Sequence, residues 1–157
     1  MTSAGLLLYR VGTVGEVEVL IGHMGGPFWA RKDARAWSIP KGEHAADDDP
    51  HDAALREFAE EIGRPPPPGP EIALGTVRQR SGKLVTAWAR RADLDITVIS
   101  SNTFELEWPP RSGRLQQFPE LDRARWCSLT EAVGLVVASQ VELLERLADA
   151  HGVARPQ

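Results

Sequence analysis

The stretch Arg56–Gly63, which reads Arg-Glu-Phe-Ala-Glu-Glu-Ile-Gly, decides the interpretation of this 157-residue chain. At about 100° per residue of an α-helix, its glutamates share one face and its apolar side chains share the opposite one. The glutamates are Glu57, Glu60 and Glu61. Because neighbouring carboxylates repel one another, a fold that gathers three of them usually places a cation between them. Hard oxygen ligands favour Mg²⁺ or Mn²⁺, and these cations indicate phosphate chemistry.

The flanking residues predict where this helix begins and ends. Asp49 suits the N-cap and Pro50 suits the first helical position. The helix should then run to about Ile62 and stop at Gly63 in a left-handed conformation. Lys41 and Gly42, upstream of the helix, are expected to begin a polar loop.

Strand-like segments lie on both sides of this helix. They cover about 3–10, 16–23, 71–80, 83–91, 103–107 and 121–127, with a Pro- and Gly-rich loop after 107 and an amphipathic helix at 139–150. Strands before and after a helix predict an α/β fold in which helices pack on the faces of a mixed sheet.

Length and composition limit the class of protein. A chain of 157 residues fits a single domain over residues 1–157. The net charge of −4 argues against nucleic-acid binding through a generally basic surface. The single cysteine, Cys127, excludes an internal disulfide and is expected to pack in the core.

No apolar run is long enough to span a membrane and no leader pattern is present, so we expect a cytoplasmic protein that does not bind membranes. Assembly as a homodimer stays open.

Residues upstream extend the helix into a longer pattern. It reads Gly42-x5-Asp48-x7-Arg56-Glu57-Phe58-x-Glu60-Glu61-x-Gly63. This pattern resembles the Nudix box, Gly-x5-Glu-x7-Arg-Glu-U-x-Glu-Glu-x-Gly-U, in which U is a bulky aliphatic residue. The chance of finding five of its residues at these fixed offsets is on the order of 10⁻⁶ per position at average composition; they are Arg56, Glu57, Glu60, Glu61 and Gly63. Two positions depart from the box, because Asp48 replaces a glutamate and Arg64 stands where an aliphatic residue is expected.

The resemblance to the Nudix (MutT-like) hydrolase superfamily implies a fold and an activity. The fold is an α/β/α sandwich with a central mixed β-sheet. The activity is the divalent-metal-dependent hydrolysis of a pyrophosphate linkage in a nucleoside diphosphate joined to another moiety, X.

Carried over by position, the resemblance also implies roles for single residues. Metal binding falls to Glu57, Glu60, Glu61, Asp48 and the carbonyl of Lys41, with Mg²⁺ or Mn²⁺ as the cation. Arg56 would orient Glu57 through a charge-assisted hydrogen bond. The proton acceptor is either Glu57 or a glutamate from a later loop, for which Glu120 is the candidate.

Substrate-binding candidates lie in the loops before the box. Lys41, Arg31 and Lys32 would contact phosphates, and Trp29 would stack on a base. Arg78, Arg80 and Lys83 are further basic residues that could clamp phosphate. The segments 25–30 and 37–43 resemble a branch of predicted NTP pyrophosphohydrolases, so nucleoside triphosphates or dinucleoside polyphosphates rank ahead of nucleotide sugars.

A second class of function stays in view. Some Nudix-like domains have lost catalysis and act as nucleotide-sensing or binding modules. Asp48 is the one feature that favours such a catalytically weak module, whereas the three glutamates favour an enzyme.

Overall fold

The computed structural model describes residues 2–157, and the predicted strands and helices form within two residues of their expected positions at most ends. The strands are β1 (Thr2–Val11), β2 (Val17–Met24), β3 (Trp37–Ser38), β4 (Lys41–His44), β5 (Glu71–Arg78), β6 (Leu84–Arg91), β7 (Thr103–Glu107), β8 (Leu115–Pro119) and β9 (Leu121–Ser128). The helices are α1 (Pro50–Ile62), α2 (Leu129–Leu135) and α3 (Val141–His151), with a short 3-10 turn at Ala138–Gln140.

Seven of these strands form one mixed sheet, as the sequence predicted. Its main order is β3-β2-β1-β6-β5, with β4 paired to β1 and β9 paired to β2. β1 and β6 run parallel, while the other pairs are antiparallel. β7 and β8 form a separate two-stranded ribbon.

The central strand β1 is buried on both faces. Alternate residues of a strand point to opposite sides, so Leu6 and Leu8 face one core and Leu7 and Tyr9 face the other. Helix α1 covers the first side, where Phe58 is fully buried. Helices α2 and α3 cover the second side. The sheet therefore lies between helical layers, which confirms the predicted α/β/α sandwich.

Helix α1 begins and ends where the sequence predicted. The Asp49 carboxylate accepts a hydrogen bond from the Asp52 backbone N–H at 3.0 Å, which satisfies a donor of the first turn. Gly63 adopts φ 96° at the other end, and its N–H donates to the carbonyl of Ala59. Because these caps fix where the helix begins and ends, they also fix the position of its glutamates relative to β4.

Three elements differ from the sequence-based expectation. Residues 41–44 form the strand β4 on the edge of β1 instead of a polar loop, and β8 lies in a segment that was expected to be a loop. Helix α2 was not predicted, although Ser128 and Glu131 form a capping box at its start. Within residues 2–157, no helix has both the length and the apolar character needed to cross a membrane.

Candidate active site

A polar cleft of about 390 Å³ opens where the N-terminal end of β1, β4 and helix α1 meet. The turn between β5 and β6 and the corner between β8 and β9 complete it. The cleft is lined by Ser3, Lys41, Gly42, Glu43, Glu57, Glu60, Glu61, Lys83, Asn102 and Glu120. The structure thus brings together the three predicted glutamates of the helix, Lys41 and Glu120.

Glu61 is the deepest carboxylate of the cleft, with only 6% of its surface exposed. Its Oε1 atom accepts a hydrogen bond of 2.8 Å from the Lys41 backbone N–H. Burial nevertheless raises the pKa of Glu61 to about 8, because the charged form loses its hydration. Without a cation, this position favours a protonated carboxyl group.

The Glu57 carboxylate packs against Gly42, the one glycine of β4. A Cβ atom at Gly42 would lie 2.2 Å from the Glu57 carboxylate, so a side chain at this position would displace it. This contact gives a physical reason for glycine at the first position of the box. Burial, followed by the negative charge of Glu60, raises the pKa of Glu57.

The Arg56 guanidinium lies equally far from Glu57 and Glu60 and is not hydrogen-bonded to either. Its guanidinium is 3.8 Å from Glu57 Oε1 and 3.8 Å from Glu60 Oε1. Both distances are those of an ion pair and exceed a hydrogen bond. The charge of Arg56 stabilises the ionised form of Glu57, but the predicted charge-assisted hydrogen bond is not formed in this arrangement.

Glu120 enters the cleft from the corner between β8 and β9. Its backbone is fixed on both sides, because its N–H donates to Asn102 O at 2.9 Å and its carbonyl accepts from the Gly25 N–H at 3.0 Å. Burial raises the pKa of the Glu120 side chain. Glu120 and Glu43 therefore line the same cleft as the three glutamates of α1.

Two lysines balance part of this negative charge. Lys41 is partly buried, and the loss of hydration lowers the pKa of its ammonium group. Lys83 forms a short ion pair with Glu43 at the other side of the cleft. Sequence reasoning treated Lys83 as one basic residue among several, because only the pairing of β1 with β4 and β6 brings it here.

Ser3 is a lining residue that the sequence did not indicate. It is 1% exposed, and its hydroxyl is the one buried side-chain polar atom without a hydrogen-bond partner in the part of the chain that the structure describes. A serine in a strand carries no motif, so its position became apparent only when β1 was placed beside β4.

Several predicted site residues lie outside this cleft. The Asp48 carboxylate accepts a hydrogen bond of 3.0 Å from the Ala45 backbone N–H and stabilises the loop between β4 and α1. Arg31 is exposed in the loop after β2. Trp29 borders a smaller neighbouring cavity that also includes Glu120, and the Lys32 ammonium lies 5.3 Å from the centroid of its ring.

A second acidic group lies at the start of helix α1. One ligand atom each from Asp49, His51 and Asp52 fall within 4.8 Å of one another. Asp49 already caps the helix, and His51 Nε2 contacts a carboxylate oxygen of Glu71 at 2.6 Å. This group is therefore engaged in local structure and stands apart from the carboxylates of the cleft.

The chemistry of the cleft fits a hard divalent cation. Its donors are carboxylate oxygens, which Mg²⁺ and Mn²⁺ prefer. The raised pKa values of Glu57, Glu61 and Glu120 indicate that the surrounding protein compensates each ionised form only in part. A bound cation would supply the remaining compensation.

The sandwich and the carboxylate cleft beside helix α1 are together those of a Nudix-type hydrolase. The model of the NUDIX domain family matches residues 3–147. The chain belongs to the Nudix family and is a Nudix hydrolase, as the box in the sequence indicated.

Individual relatives support the same family and fold. An RNA pyrophosphohydrolase of Hahella chejuensis is 29% identical over 134 residues, which cover 82% of this chain and 83% of the relative. The C. elegans Ap4A hydrolase in a binary complex has a TM-score of 0.67 at 21% identity, with 96% of this chain and 97% of that chain covered. The NUDIX domain of Shewanella oneidensis NrtR, complexed with ADP ribose, has a TM-score of 0.62 at 17% identity, with 96% and 87% covered.

Proposed function

We propose that this Nudix hydrolase cleaves a pyrophosphate linkage in a nucleoside diphosphate joined to X, with Mg²⁺ or Mn²⁺ held by Glu57, Glu60 and Glu61. The observation that carries the proposal is the meeting of these three carboxylates with Glu120 in one cleft beside two lysines. The carbonyl of Lys41 and, after a shift of its loop, Asp48 would complete the ligand set.

The residues of the cleft would have separate roles in the reaction. A divalent cation bound there would neutralise pyrophosphate oxygens and lower the pKa of a coordinated water. Attack of the water oxygen forms one P–O bond while the bridging P–O bond breaks, and the leaving phosphate takes the electron pair. Glu57 or Glu120 accepts the water proton, since both carboxylates face the cleft and burial raises the pKa of each. Arg56 supports the ionised state of Glu57 from 3.8 Å.

The substrate phosphates would contact lysine side chains on two sides of the cleft. Lys41 lies on its wall and Lys83 lies at the β5–β6 turn. Arg31 and Lys32 would contact the part of the substrate that extends beyond the cleft, and Trp29 would stack on a base. In this arrangement the reacting phosphates would lie beside the glutamates and the nucleoside beside the loop after β2.

The relatives favour nucleotide substrates. An RNA pyrophosphohydrolase and an Ap4A hydrolase are among the proteins that the chain resembles, and a third was solved with ADP ribose. We rank nucleoside triphosphates and dinucleoside polyphosphates ahead of nucleotide sugars for this chain. We also propose a single domain with a cytoplasmic location.

The competing function is a nucleotide-binding module with weak or no catalysis. It is disfavoured because Glu57, Glu60 and Glu61 all line the cleft. Product analysis over a panel of nucleotides in ¹⁸O-labelled water with Mg²⁺ separates the two. Hydrolysis of at least one nucleotide, with ¹⁸O on one product phosphate, supports the enzyme and identifies the phosphorus that is attacked. Tight nucleotide binding without turnover on any substrate would favour the module.

A further inference from the structure

Gln140 is a fully buried polar residue to which the proposed chemistry gives no role. It lies in the 3-10 turn before α3 and has no exposed surface. A buried amide costs free energy unless hydrogen bonds satisfy it. Both of its hydrogen bonds go to residues 38 and 39, which lie more than 100 positions away in the sequence and just before the box. The fold therefore uses this side chain at the entry to the catalytic cleft.

The Gln140 amide holds the chain where it passes from β3 to β4. β3 ends at Ser38 and β4 begins at Lys41, so the intervening backbone has left one sheet neighbour before it gains the next. Gln140 Oε1 accepts from the buried Ile39 N–H at 2.9 Å, and Nε2 donates to Ser38 Oγ at 2.9 Å. The Ser38 hydroxyl in turn donates to the Ile39 carbonyl at 2.7 Å. One side chain thus replaces the strand partner that is missing at this point.

Further hydrogen bonds join the same two parts of the chain. The Val137 N–H donates to the Trp37 carbonyl at 3.0 Å. The Arg35 guanidinium donates to two carbonyls at the end of α2, at 2.6 Å and 3.0 Å. Together with the amide described above, these contacts connect residues 35–39 to residues 133–140. Gln140 is the member of this set that lies nearest in the chain to the box.

A displacement of Ile39 would reach the catalytic cleft through the backbone. The next carbonyl, that of Pro40, accepts from the backbone of β1 at 3.1 Å, and the Lys41 N–H donates to Glu61 at 2.8 Å. The segment is pressed against β1, because a Cβ atom at Gly5 would lie 2.8 Å from Ile39 and 2.9 Å from the Pro40 carbonyl oxygen. In so tight a contact, the position of Ile39 sets that of the Lys41 backbone.

We propose that Gln140 is a positioning residue for the metal site. By holding Ile39 it fixes the Lys41 backbone, whose N–H orients Glu61 and whose carbonyl is a proposed ligand. This inference rests on the proposed function and adds a residue from outside the box. Hydrogen-bond partners that orient metal ligands typically contribute about 10–100-fold to metal affinity or activity. A residue with a structural role alone would contribute only to stability.

The test compares Gln140→Met with the control Leu147→Ala. Methionine has a similar length but no amide, so it fills the space and removes both hydrogen bonds. Leu147→Ala loosens the same C-terminal helix by truncating a fully buried side chain that makes no hydrogen bond to residues 38 and 39. Thermal unfolding checks that both variants fold and sets the assay temperature below both midpoints. Electron paramagnetic resonance measures Mn²⁺ binding without nucleotide, and steady-state kinetics at saturating Mg²⁺ separate kcat from KM.

Gln140→Met should weaken Mn²⁺ binding and lower kcat by about tenfold each, with little change in KM for the nucleotide. In the metal-free protein, its Lys41 amide should also exchange with solvent faster than the amides of β2 do, relative to wild type. Leu147→Ala should keep the wild-type Mn²⁺ affinity and kcat although its unfolding midpoint falls. Wild-type Mn²⁺ affinity and kcat in Gln140→Met would overturn the proposal, and so would equal losses in Leu147→Ala.

Gln140→Asn applies the same criteria if Gln140→Met does not fold. Its amide is one methylene shorter and cannot reach both residue 38 and residue 39 in their present positions. Wild-type protein that binds Mn²⁺ but hydrolyses no nucleotide would count against the proposed function, while Mn²⁺ binding by the variants would still decide the role of Gln140. Wild-type protein that neither binds Mn²⁺ nor hydrolyses nucleotides would overturn both.

Discussion

At the scale of single residues, the catalytic cleft depends on side chains that hold one another in place. The Glu57 carboxylate occupies the space that a Cβ atom of residue 42 would need. Glu61 is held by the backbone of Lys41, the residue before that glycine. The spacing of the box therefore has a geometric cause, because strand β4 and helix α1 must approach closely for both contacts to form.

Replacement of Gly42 by alanine should impair turnover far more than stability. The new methyl group would displace the Glu57 carboxylate, and a shift of about 1 Å in a catalytic group lowers activity on the order of 10²-fold. We expect kcat/KM to fall by that amount while the urea midpoint changes little. Gly134→Ala is the control, since no atom lies within 4 Å of a Cβ there. Equal activity of the two variants would show that the contact with Glu57 is unimportant.

The pKa of Glu61 predicts how stability depends on pH in the metal-free protein. Burial raises this pKa from 4.5 to about 8, so the folded state holds a proton that the unfolded chain has released between these values. The free energy of unfolding must then fall as pH rises through this range, by at most about 1.4 kcal/mol per pH unit from this one group. Urea unfolding in EDTA at several pH values measures the effect.

Glu61→Gln should make this pH dependence shallower, because its amide keeps the size of the side chain and can accept from Lys41 without titrating. Glu57 and Glu120 have pKa shifts in the same direction and remain in both proteins. The comparison therefore isolates Glu61. Parallel curves for the variant and the wild-type protein would mean that Glu61 ionises in the folded state as readily as in the unfolded chain.

At the scale of secondary-structure elements, helix α1 is positioned by its ends. Asp49 fixes its beginning, and Gly63 turns the chain towards the segment before β7. The turn is tight, because a Cβ atom at Gly63 would lie 2.7 Å from the carbonyl oxygen of Ser100. The left-handed φ of 96° adds strain for any other residue.

Gly63→Ala should destabilise the protein by more than the about 1–2 kcal/mol expected for a left-handed residue with a side chain. Gly152→Ala is a close control, because Gly152 ends helix α3 with φ 78° and has no atom within 4 Å of a Cβ. The difference between the two free energies of unfolding reports the contact with Ser100. No difference would mean that the Gly63 turn relaxes away from Ser100.

Elements with a local pattern could be predicted from the sequence, and elements set by distant partners could not. Helix α1 has both caps and an amphipathic pattern, and β1 has a continuous apolar run. Strand β4 reads Lys-Gly-Glu-His and has no apolar alternation; it is a strand because β1 offers it an edge. Helix α2 had a readable capping box that the sequence analysis overlooked.

The candidate site shows the same division. Glu57, Glu60 and Glu61 follow from helical periodicity, and Lys41 follows from the box. Ser3, Glu43, Asn102 and Lys83 reach the cleft through strand pairing over long separations, which no local pattern records. Asp48 is the opposite case: its spacing in the sequence fits the box, but it does not line the cleft. Its carboxylate instead accepts a hydrogen bond within its own loop.

At the scale of the whole molecule, one sheet serves two cores. Residues of β1 contribute to the core under α1 through Leu6 and Leu8 and to the core under α3 through Leu7 and Tyr9. Loss of this strand would expose both cores at once. The two layers are therefore expected to unfold together.

Urea unfolding followed by far-UV circular dichroism and by tryptophan fluorescence should give coincident transitions. The fluorescence reports both sides, since Trp37 lies in the core under α3 whereas Trp88 and Trp126 pack against the core under α1. Two separate midpoints would show that the helical layers are stable independently and would contradict the single domain.

The central claim is that the carboxylate cleft is a divalent-metal-dependent hydrolytic centre. The most direct test is the rate of nucleotide hydrolysis as a function of Mg²⁺ concentration for the wild-type protein and Glu57→Gln. Glu105→Gln serves as the control, because Glu105 is exposed on β7 and does not line the cleft. The wild-type rate should rise from near zero to saturation with Mg²⁺, the control should match it, and Glu57→Gln should be slower by about 10²–10⁴-fold. A wild-type rate independent of divalent cation, or full activity of Glu57→Gln, would contradict the account.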